Sequence, residues 1–135
     1  VCSSDLSTMQ KFKPGASKNF CIVDAAMNDL ARPAMYEAYH HIVAVREGES
    51  APVVYDVVGP VCESGDWLGR DRSLAVQAGD LLAILSAGAY GFTMSSNYNT
   101  RNRAAEVIVD GDKVHLARER ERFEDQIRGE HLFSA

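Results

Sequence analysis

The sequence predicts a mainly β domain with short helices. Strand-length apolar runs recur along the chain between Gly- or Pro-bearing turns, Asp110-Gly111-Asp112 sits between two such runs as a hairpin turn, and the two helical stretches are small. The 135 residues suffice for one core, and no repeat, linker or low-complexity tract divides them.

Taken in order, the turn Lys13-Pro14-Gly15 precedes residues 19–26, whose run Phe20-Cys21-Ile22-Val23 has the character of a buried strand. Arg32-Pro33 opens a short helix, because the fixed φ of proline suits the first helical position; Met35, Tyr36 and Tyr39 follow at helical spacing. Residues 41–45 and 52–58 are strand-like on either side of the polar Arg46-Glu47-Gly48-Glu49-Ser50. Ala78-Gly79-Asp80 is a turn before the most apolar strand, Leu81-Leu82-Ala83-Ile84-Leu85. Phe92-Thr93-Met94 is strand-like, and the polar run Ser95-Ser96-Asn97-Tyr98-Asn99-Thr100-Arg101 after it is expected to be a structural loop. Residues 106–109 and 113–116 form the hairpin. Residues 118–129, rich in charge with Phe123 and Ile127 four apart, read as an exposed terminal helix.

Composition narrows the function. With 46% hydrophobic and 24% charged residues the chain is an ordinary globular domain, and its net charge of −5 argues against a nucleic-acid partner. No run approaches the roughly 18 apolar residues of a membrane span. Three cysteines, Cys2, Cys21 and Cys62, are too few and too odd in number for a disulfide framework, which points to a reducing cytoplasm. None has a second Cys or a His at ligand spacing, so no metal is expected. His40 and His41 would face opposite sides of a strand, His115 and His131 are isolated, and no serine triad or phosphate-cradling glycine loop is present. Val1 to Leu6 resembles an in-frame translation of a sequencing adapter. Residues 1–10 are therefore expected to be non-native and a truncated start, Cys2 without function, and the domain to occupy 11–135.

Three constellations carry candidate chemistry. In Gly59-Pro60-Val61-Cys62-Glu63-Ser64-Gly65-Asp66 a thiol adjoins a carboxylate on a turn that Gly59 and Pro60 start and Gly65 lets return. A thiol can deliver a proton, and a carboxylate can bind an ammonium group. Arg32 and Tyr36, four apart on the helix, place a guanidinium fork beside a phenol, a pairing suited to a carboxylate. Tyr90 stands alone among the small residues of Ser86-Ala87-Gly88-Ala89-Tyr90-Gly91, where backbone can approach a ligand closely.

Four ordered motifs together resemble one family. They are Val23-Asp24-Ala25-Ala26-Met27-Asn28-Asp29-Leu30-Ala31-Arg32-Pro33-Ala34-Met35-Tyr36, the Gly59 to Asp66 stretch, Gly88-Ala89-Tyr90-Gly91-Phe92-Thr93-Met94-Ser95-Ser96-Asn97-Tyr98-Asn99, and Ala105-Glu106-Val107 with its hairpin. The chain is similar to the carboxy-terminal domain of the pyridoxal phosphate (PLP)-dependent decarboxylases with an alanine-racemase-like fold, in particular those acting on diaminopimelate. The resemblance implies a β-barrel or sandwich domain whose amino-terminal TIM barrel, with the PLP-bearing lysine, is missing here. It implies a cytoplasmic homodimer with active sites shared between subunits, turning meso-2,6-diaminopimelate into L-lysine and carbon dioxide in lysine biosynthesis. By the same resemblance Cys62 is the proton donor and Glu63 holds the substrate's distal ammonium, both in the partner's site. Arg32 and Tyr36 hold the distal carboxylate, and Tyr90 contacts PLP and substrate, within their own chain's site. None of Lys11, Lys13, Lys18 and Lys113 suits a Schiff base in its polar or turn setting, so the fragment alone is expected to be inactive. The alternatives are a decarboxylase for carboxynorspermidine or another amino acid, and a stand-alone β-domain that binds without catalysis.

Overall fold

The computed structural model describes residues 4–46, 48 and 50–133. Val1, Cys2 and Ser3, and Glu47 and Glu49 of the polar stretch, lie outside the described residues. The chain divides between Ser95 and Ser96 into two compact units.

Among the described residues the first unit holds a six-stranded sheet made of β1 (Ser4–Pro14), β2 (Asn19–Val23), β3 (Ile42–Ala44), β4 (Val53–Val58), β5 (Trp67–Leu74) and β6 (Leu81–Leu85). Their spatial order is β3-β6-β1-β2-β4-β5, and β3 also lies against β5, so the sheet curls into a nearly closed barrel. β2 and β4 run parallel, which requires a long crossover; helix α1 (Arg32–Tyr36) and β3 lie within it. Met9, Cys21, Val57, Leu68, Leu82 and Ile84 fill the interior. Each such side chain contributes about 1.5–3 kcal/mol by leaving water.

β1 joins the two halves of this sheet. Its residues 4–8 pair with β6, the rest pairs with β2, and a register shift between Met9 and Lys11 marks the change of partner. Residues 4–10 lie in the same sheet as the strands that follow: Ser7 and Met9 are 2% and 1% exposed, facing inward, while Leu6 faces out. A polar residue at one inward position hides the alternation, and Ser7 is satisfied there by donating to Asp24 Oδ1 at 2.8 Å.

Three expectations change. β5 went unrecognised because Arg70-Asp71-Arg72 interrupts its pattern. Asp71 takes φ +54°, while Arg70 and Arg72 stack over Trp67 and Tyr39 at 4.0 and 3.9 Å from the ring centroids. Phe92–Met94 is a 3-10 turn rather than a strand, since both the amide and the hydroxyl of Ser95 donate back to the Phe92 carbonyl. The terminal helix shrinks to α2 (Phe123–Gln126). The residues before it are extended because Glu121 N donates to Arg103 O, and Asp125 Oδ2 caps Arg122 N at 2.9 Å.

The second unit carries that helix and the hairpin of β7 (Glu106–Asp110) and β8 (Lys113–Arg118), which turns through Gly111 at φ +60°. Its polar loop is structural, as its composition suggested. Asn97 donates to Arg101 O and to Glu121, and accepts from Arg103 Nη1 at 2.8 Å.

Candidate functional site

Arg32 is delivered by a loop fastened at three points. Asp24, just after β2, accepts from Ser7 Oγ and from Thr8 N at 2.7 Å. Burial pushes its carboxyl up, but these hydrogen bonds outweigh burial and hold it below the usual carboxylate range. Asp29 and Ala26 bond reciprocally, Ala26 N donating to Asp29 Oδ2 and Asp29 N to Ala26 O, both at 2.9 Å. Met27 N donates to Asp66 Oδ1 at 2.7 Å. Pro33 in the first helical turn and Glu37 at φ +53° then confine α1 to five residues, so Tyr39 falls beyond its end.

Arg32 is half-buried, and its guanidinium Cζ lies 5.7 Å from the centroid of the Tyr90 ring. Tyr90 is 60% exposed and its backbone takes φ +65°, a left-handed conformation uncommon for a bulky side chain. The next residue is buried and must be glycine, because a Cβ at Gly91 would collide with the Ala87 carbonyl oxygen. The turn thus projects one phenol outward next to one guanidinium. Tyr36, a helical turn after Arg32, is 62% exposed.

Cys62 and Glu63 occupy a second exposed loop. Gly59 N donates to Asp66 O and Asp66 N to Glu63 O, both at 3.0 Å, closing the chain after β4 into a ring that leads into β5. Glu63 Oε1 accepts from Ser64 Oγ and, at 3.3 Å, from Gly65 N, so its carboxylate sits over the turn. The Asp66 side chain lies beneath the loop, with Oδ2 accepting from Val61 N at 2.7 Å. Asp66 was not singled out by the sequence reading. Its position at the end of the motif, opposite Gly59, was the available signal: a Cβ at Gly59 would collide with both Asp66 carboxylate oxygens.

The structure therefore brings Arg32 and Tyr90 together, and ties the Cys62–Glu63 loop through Asp66 to the loop that delivers Arg32. The other described cysteine has different surroundings. Cys21 is fully buried in the core, which pushes its thiol up to about 11 and leaves it a packing residue.

The sheet domain itself has known counterparts. The family described as pyridoxal-dependent decarboxylase, C-terminal sheet domain, matches residues 5–88. This chain belongs to that family. It is 58% identical over 125 residues to the diaminopimelate decarboxylase of Neisseria meningitidis serogroup A, covering 93% of this chain and 31% of that protein. It is 57% identical over 127 residues to the diaminopimelate decarboxylase of Pseudomonas aeruginosa, covering 94% and 31%. The crystal structure of diaminopimelate decarboxylase from M. jannaschii in complex with L-lysine superposes with a TM-score of 0.91 at 42% identity, covering 96% of this chain and 30% of that one. The chain thus spans about a third of the length of these relatives.

In a pyridoxal-dependent decarboxylase a lysine amine carries the cofactor, and the lysines of this sheet domain do not fit that task. Lys11, Lys13 and Lys113 are exposed. Lys18 Nζ donates to Asp56 Oδ2 at 2.9 Å and lies 3.6 Å from Asp71; the hydrogen bond to Asp56 raises its pKa and keeps the amine protonated. Among the described residues no group of three His, Cys, Asp or Glu side chains is placed to hold a metal ion, and no helix is long and apolar enough to cross a membrane.

Proposed function

We propose that this chain is the C-terminal β-domain of a diaminopimelate decarboxylase, which removes one carboxyl group from meso-2,6-diaminopimelate and releases L-lysine and carbon dioxide. The observation that carries the reading is Arg32, a half-buried residue whose guanidinium lies against an exposed tyrosine on a braced loop. A substrate of this family needs such a group only if it keeps a second carboxylate away from the reacting carbon. Lysine and ornithine have none.

When bound, PLP stabilises the electron pair left on the α-carbon as carbon dioxide leaves. The chain's own residues bind, orient and protonate. Arg32 grips the distal carboxylate through two parallel hydrogen bonds, with the Tyr36 hydroxyl donating alongside. Glu63 accepts from the distal ammonium, and the two grips together distinguish the two ends of the substrate. Tyr90 contacts PLP and substrate with its phenol. Cys62 then gives its S–H proton to the α-carbon: the S–H bond breaks, a C–H bond forms, and the thiolate regains a proton from solvent. We place Cys62 and Glu63 in the site of a second subunit, and Arg32, Tyr36 and Tyr90 in that of their own chain. Two exposed loops on one domain suit such a homodimer, and the free thiols suit a reducing cytoplasm.

Arg32→Ala in a full-length enzyme carrying this domain tests the reading. Removing the partner of a bound carboxylate should cost about 2–5 kcal/mol in kcat/KM for diaminopimelate. The inhibition constant of the product L-lysine, which has no second carboxylate to lose, should change far less. An equal loss for both would assign Arg32 to the fold or to a subunit interface.

A further inference from the structure

We propose that Asp66 is a positioning residue that sets the place of the Cys62 thiol and the Glu63 carboxylate in the reaction, although it touches neither substrate nor cofactor. The inference rests on the roles proposed above for those two residues. Asp66 is 3% exposed, whereas Cys62 and Glu63 beside it are exposed. Its two carboxylate oxygens are used separately: Oδ2 accepts from Val61 N, the residue before the thiol, and Oδ1 accepts from Met27 N in the Arg32 loop, each at 2.7 Å. These are short charge-assisted bonds to backbone, so they fix main chain rather than side chains. The residue's own amide and carbonyl close the loop on Glu63 O and Gly59 N. Gly59, which lacks a Cβ, leaves room for the carboxylate beneath the turn. One buried carboxylate thus links the proton-donor loop, which serves the partner's site, to the loop that carries the carboxylate grip of its own chain's site.

The decisive variant is Asp66→Asn in the full-length enzyme. Asparagine has nearly the same volume, but only one of its two polar atoms accepts; its NH2 must face one of the two amide donors, so one tether is lost. Displacing a reacting group by about an ångström costs on the order of 10²-fold in rate, and kcat for diaminopimelate should fall by about that factor. The same substitution in a Cys62→Ala background should lower kcat no further, because the thiol being positioned is already gone, and what remains of its effect, through Glu63 and the Arg32 loop, should appear as a rise in KM for diaminopimelate. A purely structural role for Asp66 predicts instead the same fold-loss in both backgrounds, and that result overturns the proposal. Gly59→Ala provides a second test, since its added Cβ displaces the same carboxylate without removing its charge; the same loss of kcat, absorbed by Cys62→Ala, is expected. Failure of both variants to yield soluble enzyme would assign Asp66 to folding and also overturn the proposal. Near-normal kcat in Cys62→Ala alone sinks the role of Cys62 itself; an impaired Cys62→Ala beside an unimpaired Asp66→Asn sinks only the role of Asp66.

Discussion

Cys62 and Cys21 show how surroundings decide what a thiol can do. Cys21, sealed in the core, is held protonated and out of reach of any substrate, while Cys62 stands exposed on a turn whose backbone is bonded from below. In the role proposed for it, the Cys62 thiol acts after substrate has bound, so Cys62→Ala should lower kcat by roughly 10²–10⁴-fold and leave KM for diaminopimelate comparatively unchanged. Steady-state kinetics of the full-length variant check this, and near-normal kcat would make Cys62 a structural residue. The candidate site was legible in the sequence where chemistry and turn residues coincide, as at Cys62–Glu63 and at Tyr90 among its small neighbours. Two parts were not legible. The sequence pairs Arg32 with Tyr36, one turn along its helix, but the guanidinium lies against Tyr90, which only tertiary structure brings near. Asp66 is marked only by its place at the end of the glycine-bounded motif; its partners give no cue, because they are backbone amides, and these look alike in any sequence.

At the level of elements, the sequence revealed β2, β3, β4 and β6, whose apolar runs periodicity can register, and the hairpin of β7 and β8 through its turn. β1 and β5 escaped because they carry polar and charged residues that their neighbours satisfy. Asp56 on β4 is an example. It is 9% exposed, accepts from Lys18 Nζ in the β1–β2 turn and from Asp71 N at the irregularity in β5, and so joins three strands. Burial pushes its carboxyl up, yet the Lys18 hydrogen bond and the Asp71 amide prevail and hold it below the usual carboxylate range. A carboxyl with its folded pKa below the unfolded value, about 3.9 for Asp, stabilises fully above that unfolded value. It gives up its contribution as pH falls through the folded pKa. The thermal midpoint should therefore decline as pH drops from about 5 towards 2, and Asp56→Asn should flatten that decline while lowering the midpoint near neutrality. An identical acid slope in the variant would show that Asp56 is not among the groups responsible.

For the whole molecule, the mainly β class was readable because Gly-bounded turns and the Asp110-Gly111-Asp112 hairpin are local signals, and the structure contains that hairpin. The closure of the sheet was not readable, since it depends on strands far apart in the chain. Function is divided in a similar way. The domain offers a thiol, two carboxyl groups, a guanidinium and phenols, but no lysine placed to carry PLP. The 135-residue chain alone should release no carbon dioxide from diaminopimelate, and borohydride should fix no PLP to it. Cofactor absorbance retained by the purified chain after reduction and dialysis would contradict this.

β1 has a consequence in time as well as in space. Its first residues pair with β6, so that Ser4 meets Leu85, and its remainder pairs with β2 close by. The β1–β2 hairpin can form as soon as those residues leave the ribosome, but the other half of β1 must wait until nearly all of the first unit has been synthesised. Until β6 arrives, β1 keeps an open row of amides and carbonyls on which another strand could pair, and non-local closure of this kind is intrinsically slow. The strand that completes the barrel is thus also its longest-lived vulnerability during synthesis, and the inward-facing Ser7, which needs Asp24 to satisfy it, makes that waiting edge a poorer template for an apolar intruder.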